Sequence, residues 1–233
     1  MTTTASARLR AGTRDRHDAL ERTGFATALL DGTLPLARYT AQLAALRLVL
    51  GELESELSRA AAPSVAGLWA AEDLRKAPLI ERDLRHFASH GTAPGRWPAA
   101  HAAAFTADIR TTAVADPLSL LGFLYVLEGS TLGALHLCRC VSRAYGLHGT
   151  DGMAYYASGD RARWIRFTTR LDEALADPPV QDRALAAALR AYRHTARITG
   201  ALSSGLTPAG GPAQQGGAVL VGRSTGSRPT EWT

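Results

Sequence analysis

The 233-residue chain is long enough for one domain with a sizeable core, or for two small ones. Its hydrophobic content of 46%, with only 6% aromatic residues, is carried largely by Ala and Leu, which favour helix over sheet. Lys and Arg outnumber Asp and Glu by 26 to 21, a formal charge of +5 that suits an acidic partner or an anionic ligand. No nucleic-acid-binding motif accompanies that charge, no run reaches the roughly 20 apolar residues of a membrane span, and Met1 to Arg10 holds no signal-like apolar stretch. The chain therefore reads as cytoplasmic, with neither nucleic acid nor membrane as partner.

Residues 5–24 have helical character and lead, through Phe25, Leu29 and Leu30, to a turn at Asp31-Gly32. Pro35 suits a helix start, where its missing N–H costs little. Beyond it Leu43, Leu46, Leu50, Leu53 and Leu57 step by three and four, while Arg47, Glu52, Glu54 and Glu56 fall elsewhere, which predicts an amphipathic core helix. Pro63 and Gly67 mark a break, and a helix is expected from about 72 to 90 with Pro78 as a kink or restart. The stretch Gly91 to Pro98 reads as a loop before a short helix near 99–112. Asp116-Pro117 then opens one long apolar helix, expected to run to about 146 with Gly122, Gly129 and Gly133 inside it. Gly159-Asp160 starts a helix bearing Arg161, Arg163, Trp164 and Arg166, and Pro178-Pro179 separates it from a last helix over about 180–203. Residues 204–233 turn abruptly to Gly, Pro, Ser, Thr and Gln, the composition of a disordered tail, so residues 1–203 are the expected domain.

Few residues carry chemistry. Cys138 and Cys140, two apart on a helix, point to different faces and suit neither a chelate nor a disulfide. His86 and His90 have the i, i+4 spacing of a metal chelate, yet they sit at a helix end before Gly91, where the dipole favours a histidine anyway. His17 has distinctive companions: Arg10, Thr13, His17 and Glu21 step by three, four and four along one helix face. A neutral imidazole can ligate iron through one nitrogen while a carboxylate one turn away orients the other. A solvated charged face explains the same spacing. Gly129-Ser130-Thr131-Leu132-Gly133 is the second oddity, because each internal Gly costs a helix about 0.5–1 kcal/mol relative to Ala. Close approach of something flat would justify that cost, and so would tight helix packing. The Ser130 and Thr131 hydroxyls can bend the helix or hold water.

Two segments resemble the haem oxygenases, in particular the bacterial ones associated with bacteriophytochromes. Leu9-Arg10-Ala11-Gly12-Thr13-Arg14-Asp15-Arg16-His17-Asp18-Ala19-Leu20-Glu21 is similar to the family's proximal helix. Tyr125-Val126-Leu127-Glu128-Gly129-Ser130-Thr131-Leu132-Gly133 is similar to its distal helix, and the resemblance extends over about residues 6–202. It implies an all-α, single-domain helical bundle with haem sandwiched between the two helices. It further implies that His17 is the metal ligand, that Gly129, Ser130 and Gly133 form the catalytic distal face, and that Arg10, Thr13, Glu21, Tyr125 and Arg163 contribute to haem binding. Mammalian members have Asp where this chain has Ser130, and Gly where it has Ala134, whereas bacterial relatives carry a similar Gly-Ser motif. The implied reaction opens haem to biliverdin with release of carbon monoxide and ferrous iron, using dioxygen and electrons from a ferredoxin or reductase. A bacteriophytochrome is a possible receiver of the biliverdin. A haem carrier or sensor that does not turn haem over shares the His17 requirement and stays open, as does a helical enzyme of thiaminase type.

Overall fold

The computed structural model describes residues 3–71, 74–92, 98–132 and 136–206, with backbone alone for 134 and 135. The chain begins with α1 (Ala5–Glu21), α2 (Gly24–Leu30), α3 (Leu36–Arg59), α4 (Pro63–Ala71), α5 (Ala77–Ser89) and α6 (Ala99–Ala115). A single 3-10 turn at Pro117–Ser119 then leads into α7 (Leu120–Gly129), α8 (Ala134–Tyr145), α9 (Ala154–Ala157), α10 (Arg161–Ala174) and α11 (Pro178–Ser203). No strand occurs among the described residues, so the expected all-α bundle is the fold observed. Likewise no helix among them is long and apolar enough to cross a membrane.

The leucine stripe of α3 behaves as its period dictates: Leu43, Leu46, Leu50, Leu53 and Leu57 are all buried, each contributing about 1.5–3 kcal/mol of apolar burial. Thr4 and Thr23 cap α1 and α2 by accepting from the N–H groups of Ala7 and Ala26. The 26-residue α11 is the central beam, packed against α1, α6 and α7. At its contact with α7 the absence of a side chain on Gly122 is required, because a Cβ there would overlap the Ala184 carbonyl.

Three expectations change. Pro63 opens α4 instead of marking a break, since proline suits the first helical turn, and Gly67 lies inside that helix with open space beside it. The helix expected over 72–90 begins only at Ala77, with Pro78 in its first turn. Most consequentially, the segment from 117 to 146 is not one helix. It stops at Gly129 and resumes at Ala134, because Ser130 and Thr131 turn their hydroxyls onto the Leu127 and Glu128 carbonyls at 2.7 and 3.0 Å. Gly133 and residues 207–233, most of the expected tail, lie outside the described residues.

Candidate active site

Helices α1 and α7 both lie on α11, and α10 bridges between them. Along the exposed side of α1, Ser6, Ala7, Arg10, Ala11 and Arg14 form one wall of a cavity of about 470 Å³. Tyr125 from α7 and Trp164 and Thr168 from α10 form the other, and the volume is that of a small-ligand pocket. Burial raises the Tyr125 hydroxyl to about 12, against the pull of the Arg10 guanidinium, so it remains a neutral group that can donate a hydrogen bond. Two guanidiniums and a phenol around one opening suit carboxylates on a bound molecule.

One turn beyond Arg14, the His17 side chain is 48% exposed. Its Nδ1 lies 3.7 Å from an Asp18 carboxylate oxygen and 3.8 Å from one of Glu21. Among the described residues, His17, Asp18 and Glu21 are the group able to bring His, Asp or Glu ligand atoms together for a metal, all within 4.8 Å of one another. With the carboxylates on the Nδ1 side, Nε2 is the nitrogen left to face a ligand.

On α7 the two glycines answer the packing question differently. Gly122 serves helix contact, whereas Gly129 serves a flat ring: a Cβ there would meet Trp164 Cη2 at 3.3 Å and Cζ3 at 3.6 Å. Trp164 also packs against Tyr125, with ring centroids 5.3 Å apart, and so connects the Gly129 surface to the cavity wall.

Several residues expected at the site occupy other positions. Thr13 is buried, donates to the Leu9 carbonyl at 2.7 Å and abuts Tyr192, so it faces α11. Arg163 turns toward Glu128, with Nη2 at 3.1 Å from Oε1, and its Nη2 also donates to the Ser158 carbonyl at 2.6 Å. That side chain belongs to the Glu128 side of α7 and does not line the cavity. Ser130 is held by a hydrogen bond to Tyr155, Oγ to hydroxyl 3.0 Å, and Tyr155 is fixed in turn by Asp83, which accepts its backbone N–H at 2.9 Å. Burial raises the Tyr155 hydroxyl to about 12, so it too stays protonated. Sequence reasoning passed over Arg14, although it stands one turn from Arg10. It also passed over Lys76, Glu128 and Tyr155, for which no local pattern gives a signal.

The bundle thus sets two arginines and a carboxylate-flanked histidine along one helix, α1, with Tyr125 of α7 and Trp164 of α10 across the cavity from the arginines. Residues 3–199 match the family model described as heme oxygenase, and the chain belongs to that family. It is accordingly a haem-degrading enzyme. Among solved structures it is similar to heme oxygenase-1 from the cyanobacterium Synechocystis in complex with heme, with TM-score 0.74 and 22% identity over 88% of this chain and 94% of that one. Heme oxygenase-2 of Synechocystis, in complex with heme and NO, aligns with TM-score 0.75 and 20% identity over 86% of this chain and 85% of its own. The heme oxygenase of Leptospira interrogans gives 0.73 and 23% over 86% and 99%. No curated protein sequence matches the chain.

Proposed function

We propose that haem binds between α1 and α7, where His17 would hold its iron, and that the chain oxidises it to biliverdin, carbon monoxide and ferrous iron. The observation that carries this reading is the α1 face, on which Arg10 and Arg14 edge the cavity beside Tyr125 and His17 follows one turn on with the Asp18 and Glu21 carboxylates at its Nδ1. Haem supplies the iron at which dioxygen is reduced and is itself the molecule that is opened.

The chain's own residues supply binding and orientation. Arg10 and Arg14, with the neutral Tyr125 hydroxyl, would hold the propionates at the cavity mouth. Asp18 and Glu21 would keep the His17 ring turned with Nε2 toward the iron. Without a Cβ, Gly129 would let the distal backbone lie close to the macrocycle once the Trp164 indole that covers it shifts aside, with Gly133 expected to act likewise one turn on. The Ser130 hydroxyl donates to the Leu127 carbonyl, so Tyr155 donates to Ser130, which leaves a second Ser130 lone pair to position water on the distal side. The +5 charge suits an acidic ferredoxin or reductase as electron donor, and a bacteriophytochrome would be a fitting acceptor of the biliverdin.

Supplying the purified chain with haem, dioxygen and a reducing system tests the reading. Biliverdin with stoichiometric iron release is the expected result; a stable ferrous or oxygenated haem spectrum would make the chain a carrier.

A further inference from the structure

Behind the break between α7 and α8 lies a buried ionic cluster that the haem chemistry above does not use. Lys76 and Glu128 each have a side-chain exposure of only 2%, and their charged groups approach to 3.0 Å. The Lys76 ammonium also donates to Thr131 Oγ1 at 2.9 Å and to Ser158 Oγ at 3.1 Å. Arg163 reaches the other Glu128 oxygen at 3.1 Å. Opposite Thr131, Gly159 sits so close that a Cβ would overlap the Thr131 carbonyl.

The lysine is anchored independently of the break it touches. Its backbone N–H and that of Ala77 both donate to Glu54 Oε1, at 2.6 and 2.8 Å, which fixes residue 76 to the rigid core helix α3. Within the break itself, Ser130 N keeps a helical bond to Val126 O at 3.1 Å, whereas Thr131 N and Leu132 N make tight turn bonds, to Glu128 O at 3.3 Å and Gly129 O at 3.1 Å. Burial lowers the affinity of the Lys76 amine for its proton, and the Glu128 carboxylate opposes that effect. A buried ion pair of this kind is a poor source of stability compared with apolar side chains of equal volume, and its best-attested use is to fix one arrangement among several.

We propose that Lys76 is a positioning residue that ties the Gly129–Leu132 break to α3 and thereby sets how the distal backbone lies over the substrate. This inference rests on the haem-oxygenase reading of that break. It is tested on the full chain with Lys76→Met, which removes the ammonium at similar length, and with Thr131→Val, which removes one acceptor and buries no unpaired charge. Two readouts are taken: amide hydrogen exchange of the haem-free proteins, and the biliverdin isomers formed after one turnover.

In Lys76→Met, amides of residues 129–132 should exchange about tenfold faster or more, while those of α11 keep their rates. Haem should bind with the parent spectrum and within about threefold of the parent affinity, because His17 is untouched. Turnover should fall by about tenfold, and opening should spread from one meso position to several as the distal backbone loosens. If Lys76→Met does not fold, Thr131→Val carries the test, with an exchange increase of about threefold confined to the same amides. Parent-like exchange at 129–132, or an equal increase throughout the chain, would overturn the positioning role, as would an unchanged isomer pattern and rate. Should the parent make no biliverdin, the haem-oxygenase reading falls, and the exchange measurement still decides whether Lys76 holds the break.

Discussion

Trp164 rests its indole on the bare backbone of Gly129, at a distance where even a methyl group would touch the ring. The glycine that weakens α7 is thus matched by a flat partner supplied from α10. Gly129→Leu has no room for its side chain unless Trp164 moves. We expect about 1–3 kcal/mol of lost stability in urea unfolding, with haem binding partly retained and biliverdin formation strongly reduced. Parent rates of biliverdin formation in this variant would remove Gly129 from the distal face.

Arg10 and Arg14 stand four residues apart on the exposed side of α1, at the mouth of the same cavity as Tyr125. If they hold propionates, replacing both by Ala should weaken haem binding by about tenfold or more. The diagnostic comparison uses haem dimethyl ester, which lacks the two carboxylates: its affinity should change little between parent and double variant. Equal losses for haem and its diester would mean that the arginines act on packing and not on charge.

Asp83 anchors the short α9 and, through it, the Tyr155 that bonds to Ser130. Burial raises its carboxyl to about 6 from an ordinary 3.8, outweighing the two backbone N–H groups that favour the ionised form. In the window between those values the folded state holds a proton that the unfolded chain has lost. The stability this group contributes is therefore fully present below the lower value and is lost as pH rises through the upper one, at about 1.4 kcal/mol for each unit of separation. The stability of the parent relative to Asp83→Asn should fall between about pH 4 and about pH 7, read from urea midpoints across that range. A constant difference would show that Asp83 keeps an ordinary carboxyl.

The parts of this fold legible in the sequence are those set by local pattern. The α3 stripe needs only its own 3.6-residue period, and the Arg10 to Glu21 spacing places His17 beside Glu21 on α1 without reference to any other helix. The α7–α8 break was half legible: Gly129, Ser130 and Thr131 announce a weak point, but whether their hydroxyls bend or end the helix depends on what receives the freed backbone. Here Ser130 finds Tyr155, and Thr131 finds Lys76, 55 positions away. No periodicity encodes such a meeting. Arg163 shows the converse: the family resemblance implies a part in haem binding, whereas the folded chain sets Glu128 within its reach.

The account depends most directly on His17, and an anaerobic haem titration of the parent and of His17→Ala, followed by absorption spectroscopy, tests it. The parent should bind about one equivalent of haem with a Soret band and the spectrum of a histidine-ligated iron. His17→Ala should lose that signature and regain it when imidazole is added. An unchanged spectrum in His17→Ala would place the ligand elsewhere and contradict the assignment of α1 as the proximal helix.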